Sequence, residues 1–318
     1  MSSNPVLEVK NLVKRFPSSK RDSKGKGFVV AVDGISFSVK EGEIVGLLGP
    51  NGAGKTSTIQ MLLGVLSPTS GSISYFGKDF ARNREEILGQ VNFCSSYIRL
   101  PWSMTVFENM DVAARLYGVK NRKERIAKLL AIFEIEAFSN KSVASLSAGQ
   151  LMRTVLAKSF INYPRVLLLD EPTASLDQDV ADRVREFLEK ERKDFNMSML
   201  LTSHNMREVE KLCDRVIFLN KGKILEIGTP EKLAAKLQTA KVELWIEKNE
   251  QKASKLFKKL RLKVEKEGKY TRVEVKEKEV ANFLVVLGQN GVDYREINID
   301  RPDLEDFFLK AAREGKNV

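Results

Sequence analysis

The sequence has few of the residues that build metal centres and disulfide frameworks. Its 318 residues include two cysteines, Cys94 and Cys213, and a single histidine, His204. A lone histidine excludes a metal site built from a histidine cluster, and the two cysteines lie too far apart for a metal-ligand spacing. We therefore expect both cysteines to be free, buried thiols in a reducing compartment.

Long apolar runs are lacking as well. No stretch approaches the roughly 18 apolar residues of a membrane-spanning helix, and the first residues contain no signal-peptide core. The apolar fraction of 42% and the charged fraction of 30% are instead typical of a globular protein. We expect the chain to stay in the compartment where it is made. Its length accommodates one large domain and a smaller one.

The net charge of +11 is compatible with binding to nucleic acid, with binding to anionic lipid, or with a solvated surface that binds neither. Lysines alternate with glutamates through much of the chain, and no array of aromatic and basic residues indicates a strand-binding groove. This pattern favours a solvated, lysine-rich surface, and we do not expect a nucleic-acid partner.

The clearest motif is a phosphate-binding loop between a predicted strand and a predicted helix. Residues 44–48 form a short apolar run, and apolar residues recur at helical spacing over 59–66. Between them, residues 49–56 match the pattern G-x-x-x-x-G-K-[ST] at every fixed position. The residues predicted to bind a nucleotide here are Gly49, Pro50, Asn51, Gly52, Ala53, Gly54, Lys55, Thr56 and Ser57.

The composition of this loop explains its chemistry. Glycines allow backbone N–H groups to approach an anion, and the start of the following helix adds its positive end. Lys55 supplies a mobile charge for the β- and γ-phosphates, and the Thr56 hydroxyl is a hard ligand for Mg²⁺. Kinases, GTPases and many motor proteins carry such a loop, so the loop alone does not select one of them.

Two acidic residues follow a buried-strand pattern at residues 166–169. Asp170 would supply the second protein contact to Mg²⁺. Glu171, directly beside it, could accept a proton from an attacking water, which is general-base chemistry. The sequence therefore predicts a hydrolytic site with Lys55 and Glu171 among its catalytic residues.

These motifs together resemble the ATP-binding subunit of an ABC transporter, over about residues 6–230. The segment Leu146 to Gln150 is similar to the family signature LSGGQ, which distinguishes this family from other P-loop proteins. Residues 175–177 resemble the D-loop, and His204 resembles the catalytic switch histidine. The resemblance implies ATP and Mg²⁺ as ligands. It also implies an α/β fold with a P-loop ATPase core, an antiparallel β subdomain and a helical subdomain at about residues 100–163.

The resemblance implies partners too. Two subunits, expected to be identical chains, would pack head to tail. ATP would lie between the phosphate-binding loop of one subunit, residues 49–56, which matches the family's Walker A loop, and the signature of the other. The residues expected to hold the nucleotide across this interface are Ser147, Gly149, Gln150 and Asp177. Phe16 is expected beneath the adenine, with Phe28 as the rival position. A separate membrane-spanning permease would place the protein in the cytoplasm, at the inner face of the cell membrane.

One position departs from the family pattern. Counted back from residues 104–106, Ser96 stands where the family has the glutamine of the Q-loop. That glutamine reaches Mg²⁺ and the attacking water, and it links the site to the permease. A serine is too short to reach as far, although a water could bridge. Gln90 belongs to the preceding predicted strand and does not replace this glutamine. The sequence therefore leaves open how Mg²⁺ is coordinated here and how the site is coupled to the permease.

The residues after about 240 differ in character. Their predicted order, βαββαβ followed by a helix, indicates a small ferredoxin-like α+β domain. We therefore predict an ATP-binding domain at residues 1–238 and an accessory domain at residues 239–318. Residues 302–308 resemble the end of C-terminal extensions on subunits of two-component exporters.

The expected function is ATP hydrolysis that drives a separate permease, in the direction of export. One alternative is a soluble ABC ATPase acting on ribosomes or DNA. Ribosome-acting members usually carry two ATP-binding domains in one chain, and DNA-repair members insert a long coiled coil. This sequence has one ATP-binding domain and a short helical insertion. A second alternative, a regulatory subunit with weak ATPase activity, stays open because of Ser96.

Overall fold

The computed structural model describes residues 5–18, 27–95, 98–174 and 176–314, with side chains described up to residue 311. The chain divides into two compact units, Met1–Thr229 and Pro230–Val318. This division falls earlier than the predicted domain boundary at residue 238, which stays a prediction. None of the helices in the described ranges is both long and apolar enough to cross a membrane.

The first unit contains most of the regular structure. In chain order its elements are β1 (Leu7–Pro17), β2 (Phe28–Val39), β3 (Ile44–Leu48), α1 (Lys55–Leu62), β4 (Ser70–Tyr75), β5 (Lys78–Asp79), α2 (Arg84–Leu88), β6 (Val91–Ser95), α3 (Val106–Leu116), α4 (Arg122–Ile132), α5 (Ala148–Ser159), β7 (Val166–Asp170), α6 (Gln178–Phe195), β8 (Ser198–Thr202), α7 (Met206–Leu212), β9 (Arg215–Asn220) and β10 (Lys223–Gly228).

A six-stranded sheet of order β10-β9-β3-β8-β7-β6 forms the centre of this unit. Its strands run parallel, except that β10 is antiparallel to β9. Strands β3 and β8 are buried along their whole length, as expected when both faces of a parallel sheet are covered. Because β3, β8 and β7 are adjacent and parallel, their carboxyl ends meet at one edge of the sheet, where ligands bind in such folds.

A second, four-stranded antiparallel sheet has the order β2-β1-β4-β5. One apolar core joins it to α1 and to the six-stranded sheet, since Leu7, Ile59 and Leu168 belong to the same buried cluster. The structure thus has the antiparallel β subdomain that the sequence predicts.

Helices α3, α4 and α5 form the helical part of the unit. Thr105 caps α3: its hydroxyl accepts a hydrogen bond from the Glu108 N–H, and the Glu108 carboxylate accepts one from the Thr105 N–H. The sequence from Thr105 to Glu108, with threonine followed three positions later by glutamate, predicts this capping box. The sequence predicts helices at about 106–117 and 122–134, and these correspond to α3 and α4.

The second unit contains α8 (Pro230–Ala234), β11 (Thr239–Lys248), α9 (Glu250–Lys259), β12 (Lys263–Glu267), β13 (Tyr270–Lys276), α10 (Val280–Gln289), β14 (Asp293–Asp300) and α11 (Leu304–Glu314). Its four strands form an antiparallel sheet of order β12-β13-β11-β14. This is the strand order of a ferredoxin-like fold, as the sequence predicts. The unit has its own buried core, which includes Leu244, Phe257 and Phe283.

Candidate ATP-hydrolysing site

The phosphate loop connects the end of β3 to the start of α1, and its glycines are required by their surroundings. Gly49 has a φ of 152°, and a Cβ there would lie 2.2 Å from the backbone oxygen of Leu219. Gly54 has a φ of 105°, and its Cβ would lie 2.5 Å from the Ala31 oxygen. At Gly52, by contrast, a Cβ would meet no atom within 4 Å. The loop therefore packs closely against β9 and β2 on one side and is open on the other.

Lys55 is the first residue of α1, and its side chain turns back over the loop. Its Nζ donates hydrogen bonds to the backbone oxygens of Gly49 at 2.5 Å and Pro50 at 3.3 Å. Burial lowers the pKa of Lys55, while the nearby carboxylates of Glu171 and Asp170 act in the opposite direction. The structure thus brings the predicted phosphate-binding lysine to the two acidic residues predicted at the end of β7.

The other loop residues differ in exposure. Asn51, Gly52 and Thr56 are exposed, and Ser57 is half-buried. Ala53 is buried, and its carbonyl oxygen accepts a hydrogen bond from the N–H of Gly222. The loop therefore presents its polar residues outward while Ala53 anchors it to the protein.

Asp170 ends β7 and lies opposite Ser95 of β6 and Thr202 of β8. The Thr202 hydroxyl donates a 2.5 Å hydrogen bond to Asp170 Oδ1. This bond fixes the orientation of the carboxylate at the strand end. Thr56 and Asp170 together offer a hydroxyl and a carboxylate, and such hard oxygen donors fit Mg²⁺. The described residues contain no group of three or more His, Cys, Asp or Glu placed to hold a metal.

Glu171 has a φ of 54°, in the left-handed region that residues other than glycine seldom adopt. Its N–H donates to the backbone oxygen of Thr202 at 3.1 Å, and its Oε2 accepts from the backbone N–H of His204 at 3.2 Å. The backbone of residues 202–204 therefore holds this residue in an unusual conformation.

The second carboxylate oxygen of Glu171 is the unpaired atom of the site. Oε1 is buried and has no hydrogen bond of suitable geometry from the described residues, although Nε2 of His204 lies 3.2 Å away. Burial raises the pKa of Glu171, and the charge and backbone N–H of His204 act against this shift. A buried acceptor without a donor is suited to receive a proton from a bound molecule.

The signature segment lies at the start of α5. Ser147 caps this helix: its hydroxyl accepts from the Gln150 N–H at 3.3 Å, and the Gln150 side chain accepts from the Ser147 N–H at 3.1 Å. Ser147 is exposed, and Gly149 is the second residue of the helix. The helix therefore presents its N-terminus at the surface. Asp177 is exposed as well and precedes α6 without a capping hydrogen bond from its side chain.

Phe16 and Phe28 lie at the same end of the β1–β2 pair, where Phe16 is opposite Val29 and Phe28 is opposite Pro17. Phe16 is 37% exposed, and Lys14 Nζ lies 5.2 Å from its ring centroid. The Arg15 guanidinium lies 4.9 Å from the Phe28 ring centroid. The geometry leaves both aromatic positions as candidates for stacking on a base.

Comparisons with known proteins show the family to which the chain belongs. Residues 32–174 match the ABC transporter family. The chain is 31% identical to the bacitracin transport ATP-binding protein BcrA of Bacillus licheniformis, over 98% of both chains. This chain belongs to the ATP-binding subunits of ABC transporters. It is therefore an ABC-type ATPase, which binds and hydrolyses ATP.

Relatives within the family include importers. The ABC cassette is 34% identical to the spermidine/putrescine import ATP-binding protein PotA of Spiroplasma citri, over 72% of this chain and 63% of that protein. Among solved structures, the ATP-binding subunit of an ABC transporter matches with a TM-score of 0.64 at 26% identity. That match covers 73% of this chain and 93% of the other. The comparisons thus establish the family, which includes ATP-binding subunits of importers.

The Q-loop position, Ser96, lies outside the described residues, as does Ser175 of the D-loop. The preceding residue, Ser95, is buried in β6 opposite Asp170. Three hydroxyl residues that hydrogen-bond to acidic side chains around this site have no motif in the sequence: Thr202, Thr173 and Ser203. Hydroxyl residues at strand ends beside an acidic pair are a weak signal, because such residues are common in loops.

Proposed function

We propose that this ATPase energises a separate membrane permease, and that two identical chains bind ATP between them. The observation that carries the proposal is the unpaired Oε1 of Glu171, a buried acceptor held near Lys55 and His204. A water placed against this atom could lose its proton as it attacks the γ-phosphate.

The other roles follow from the donors and charges of the site. Lys55 and the loop amides of residues 49–57 would hold the β- and γ-phosphates. Thr56 and Asp170 would bind Mg²⁺, which offsets phosphate charge when present. The His204 side chain is exposed on the same side as Glu171 Oε1 and would contact the γ-phosphate. These residues then act on one phosphate from several directions, which is how phosphoryl transfer is usually catalysed.

A second subunit would supply the remaining contacts. The capping box at Ser147 orders the first turn of α5, and helix N-terminal amides bind anions well. Ser147, Gly149 and Gln150 would therefore face the γ-phosphate bound to the partner, and Asp177 would lie at the same interface. Phe16 or Phe28 would stack on the adenine, a contact worth about 1–3 kcal/mol.

Export is the direction we favour. The match to the bacitracin transport protein extends over the second unit. The end of the second unit also resembles that of two-component exporters. The protein would then lie in the cytoplasm, at the inner face of the cell membrane, bound to its permease.

The partner can be tested by affinity purification of the tagged chain from detergent-solubilised membranes and from the soluble fraction. The proposal predicts co-purification of a multi-span membrane protein that raises the ATPase rate. Recovery of ribosomes or DNA in its place would contradict it.

The direction can be tested with inside-out vesicles that contain the chain and this membrane protein, with labelled bacitracin as the first cargo. If the complex exports, ATP added outside the vesicles should drive accumulation of the labelled cargo inside them. Vesicles with a Lys55→Ala chain are the matched control. ATP-driven uptake in right-side-out vesicles loaded with ATP would indicate import.

A further inference from the structure

Glu208, in α7, is a fully buried acidic residue with 0% exposure. The other buried glutamate among the described residues is Glu43, which forms an ion pair with Arg215. Glu208 instead accepts hydrogen bonds from two hydroxyl groups, one on each carboxylate oxygen. Removing a carboxylate from water is costly, so such an arrangement calls for a specific reason.

The two hydroxyl donors come from different loops. Thr173 Oγ1 donates to Glu208 Oε1 at 2.8 Å, and Ser203 Oγ donates to Oε2 at 2.6 Å. The Ser203 hydroxyl oxygen in turn accepts from the N–H of Asn205 at 3.1 Å, and Asn205 caps α7. One rigid carboxylate, on the first turn of a helix, thus joins both loops.

These loops carry the reacting groups of the ATPase site. Thr173 follows Glu171 by two residues, and Ser203 directly precedes His204. The Glu171 backbone has a left-handed φ, a conformation that persists only where the surroundings enforce it. The bond from the His204 N–H to Glu171 Oε2 requires the two loops to keep a fixed separation.

We propose that Glu208 is a positioning residue for hydrolysis: through Thr173 and Ser203 it holds Glu171 and His204 in the relative orientation that the reaction needs. The inference rests on the proposed roles of Glu171 and His204. Glu208 itself is fully buried, and its carboxylate accepts hydrogen bonds from Thr173 and Ser203. A glutamine in its place could accept from one hydroxyl only, because its amide nitrogen is a donor.

The test is steady-state ATPase kinetics on Thr173→Val, Ser203→Ala and Glu208→Gln in the full chain. Each variant should lower kcat by roughly tenfold, the scale of one hydrogen bond to a charged group. The KM for ATP should change less than about twofold, because the described hydrogen bonds of the Glu208 carboxylate go to Thr173 and Ser203, which lie outside the phosphate loop. Thr173 is half-buried, so we expect Thr173→Val to fold. This variant therefore still tests the inference if Glu208→Gln does not fold.

The matched control is Ser159→Ala. Ser159 is as buried as Ser203, and its hydroxyl donates a 2.7 Å hydrogen bond to the Leu156 oxygen within α5. Loss of this hydrogen bond should lower the midpoint temperature of thermal unfolding by about as much as Ser203→Ala does, and it should leave kcat unchanged. If Ser203→Ala and Thr173→Val also lower the midpoint and leave kcat unchanged, Glu208 is a structural residue and the inference is wrong.

A second measurement separates this inference from the proposed function. In a Glu171→Gln background, Thr173→Val should cause no further loss of kcat, since the variant acts through Glu171. A full additional tenfold loss there would overturn the positioning role. Should Glu171→Gln alone leave kcat unchanged, the proposed function of Glu171 fails first and the inference falls with it.

Discussion

Replacement of Glu171 by glutamine tests the proposed general base directly. Glutamine keeps the length and shape of the side chain, and its amide oxygen can still accept the hydrogen bond from the His204 N–H. The left-handed backbone conformation and the bond to Thr202 involve main-chain atoms of Glu171 and should persist. The change therefore removes one charge and one proton-accepting atom, Oε1, and little else.

The expected loss in kcat is roughly 10²–10⁴-fold, the usual contribution of a positioned acid or base. This corresponds to about 3–5 kcal/mol of activation free energy. Binding of ATP should not weaken, because Lys55, Thr56 and Asp170 are unchanged. Removal of a negative charge near a phosphate should instead favour the bound state, since two unit charges ~5 Å apart repel by about 3 kcal/mol at an effective dielectric constant of ~20.

Two assays check these expectations. Size-exclusion chromatography with ATP and Mg²⁺ should show a dimer for Glu171→Gln where the wild type is mostly a monomer, because unhydrolysed ATP persists at the interface. The pH dependence of kcat/KM provides the second assay. Burial raises the pKa of Glu171, so the wild-type rate should fall on the acidic side at a pH above the ordinary glutamate range, and the variant's residual rate should lack this limb.

Three results would refute the reasoning in different ways. Hydrolysis at the wild-type rate would remove Glu171 from the mechanism. An unchanged acidic limb in the variant would assign that limb to another group. A variant that binds ATP and stays monomeric would count against a dimer of identical chains.

Three further changes test other parts of the molecule. Gly49→Ala should destabilise the protein in urea unfolding by more than ~1 kcal/mol and abolish ATP binding, since its Cβ would meet the Leu219 oxygen. Gly77→Ala is the control for a positive φ without a clash, because Gly77 has a φ of 77° and a Cβ there would meet no atom within 4 Å. Ser147→Ala should cost about 1 kcal/mol of helix capping and slow hydrolysis, while fluorescent ATP analogues still bind the single subunit equally well. A chain truncated after Thr229 should fold and bind ATP like the full chain, because the first unit has its own core; loss of binding in calorimetry would contradict that division.

The features that the sequence by itself determined are those set by a few consecutive residues. Gly49 and Gly54, at the ends of the phosphate loop, act through backbone conformations that glycine itself permits. Lys55 follows directly and acts through the length of its side chain, so these few residues define the loop locally. The capping boxes at Thr105 and Ser147 each depend on residues three positions apart. The order of strands and helices after residue 240 likewise indicated the ferredoxin-like arrangement, because short connections permit few topologies.

The division between the units required the folded chain. Pro230 begins a helix by local rules, and nothing in the pattern assigns that helix to either unit. In the structure α8 contacts α11, which lies more than sixty residues later in the chain, and α8 therefore belongs to the second unit. Such a contact depends on two packed surfaces and has no local signature.

The hydrogen bonds around the proposed catalytic residues were decided by the tertiary structure alone. The Thr202 hydroxyl reaches Asp170 across 32 residues of sequence, and Thr173 reaches Glu208 across 35. Threonine, serine and glutamate are common in any charged chain, so their spacing predicts no such bonds. They form because β7 and β8 pair in a register that places Asp170 opposite Thr202. That register is selected by burial of both strands in the apolar core, a property of the whole sheet and not of either segment.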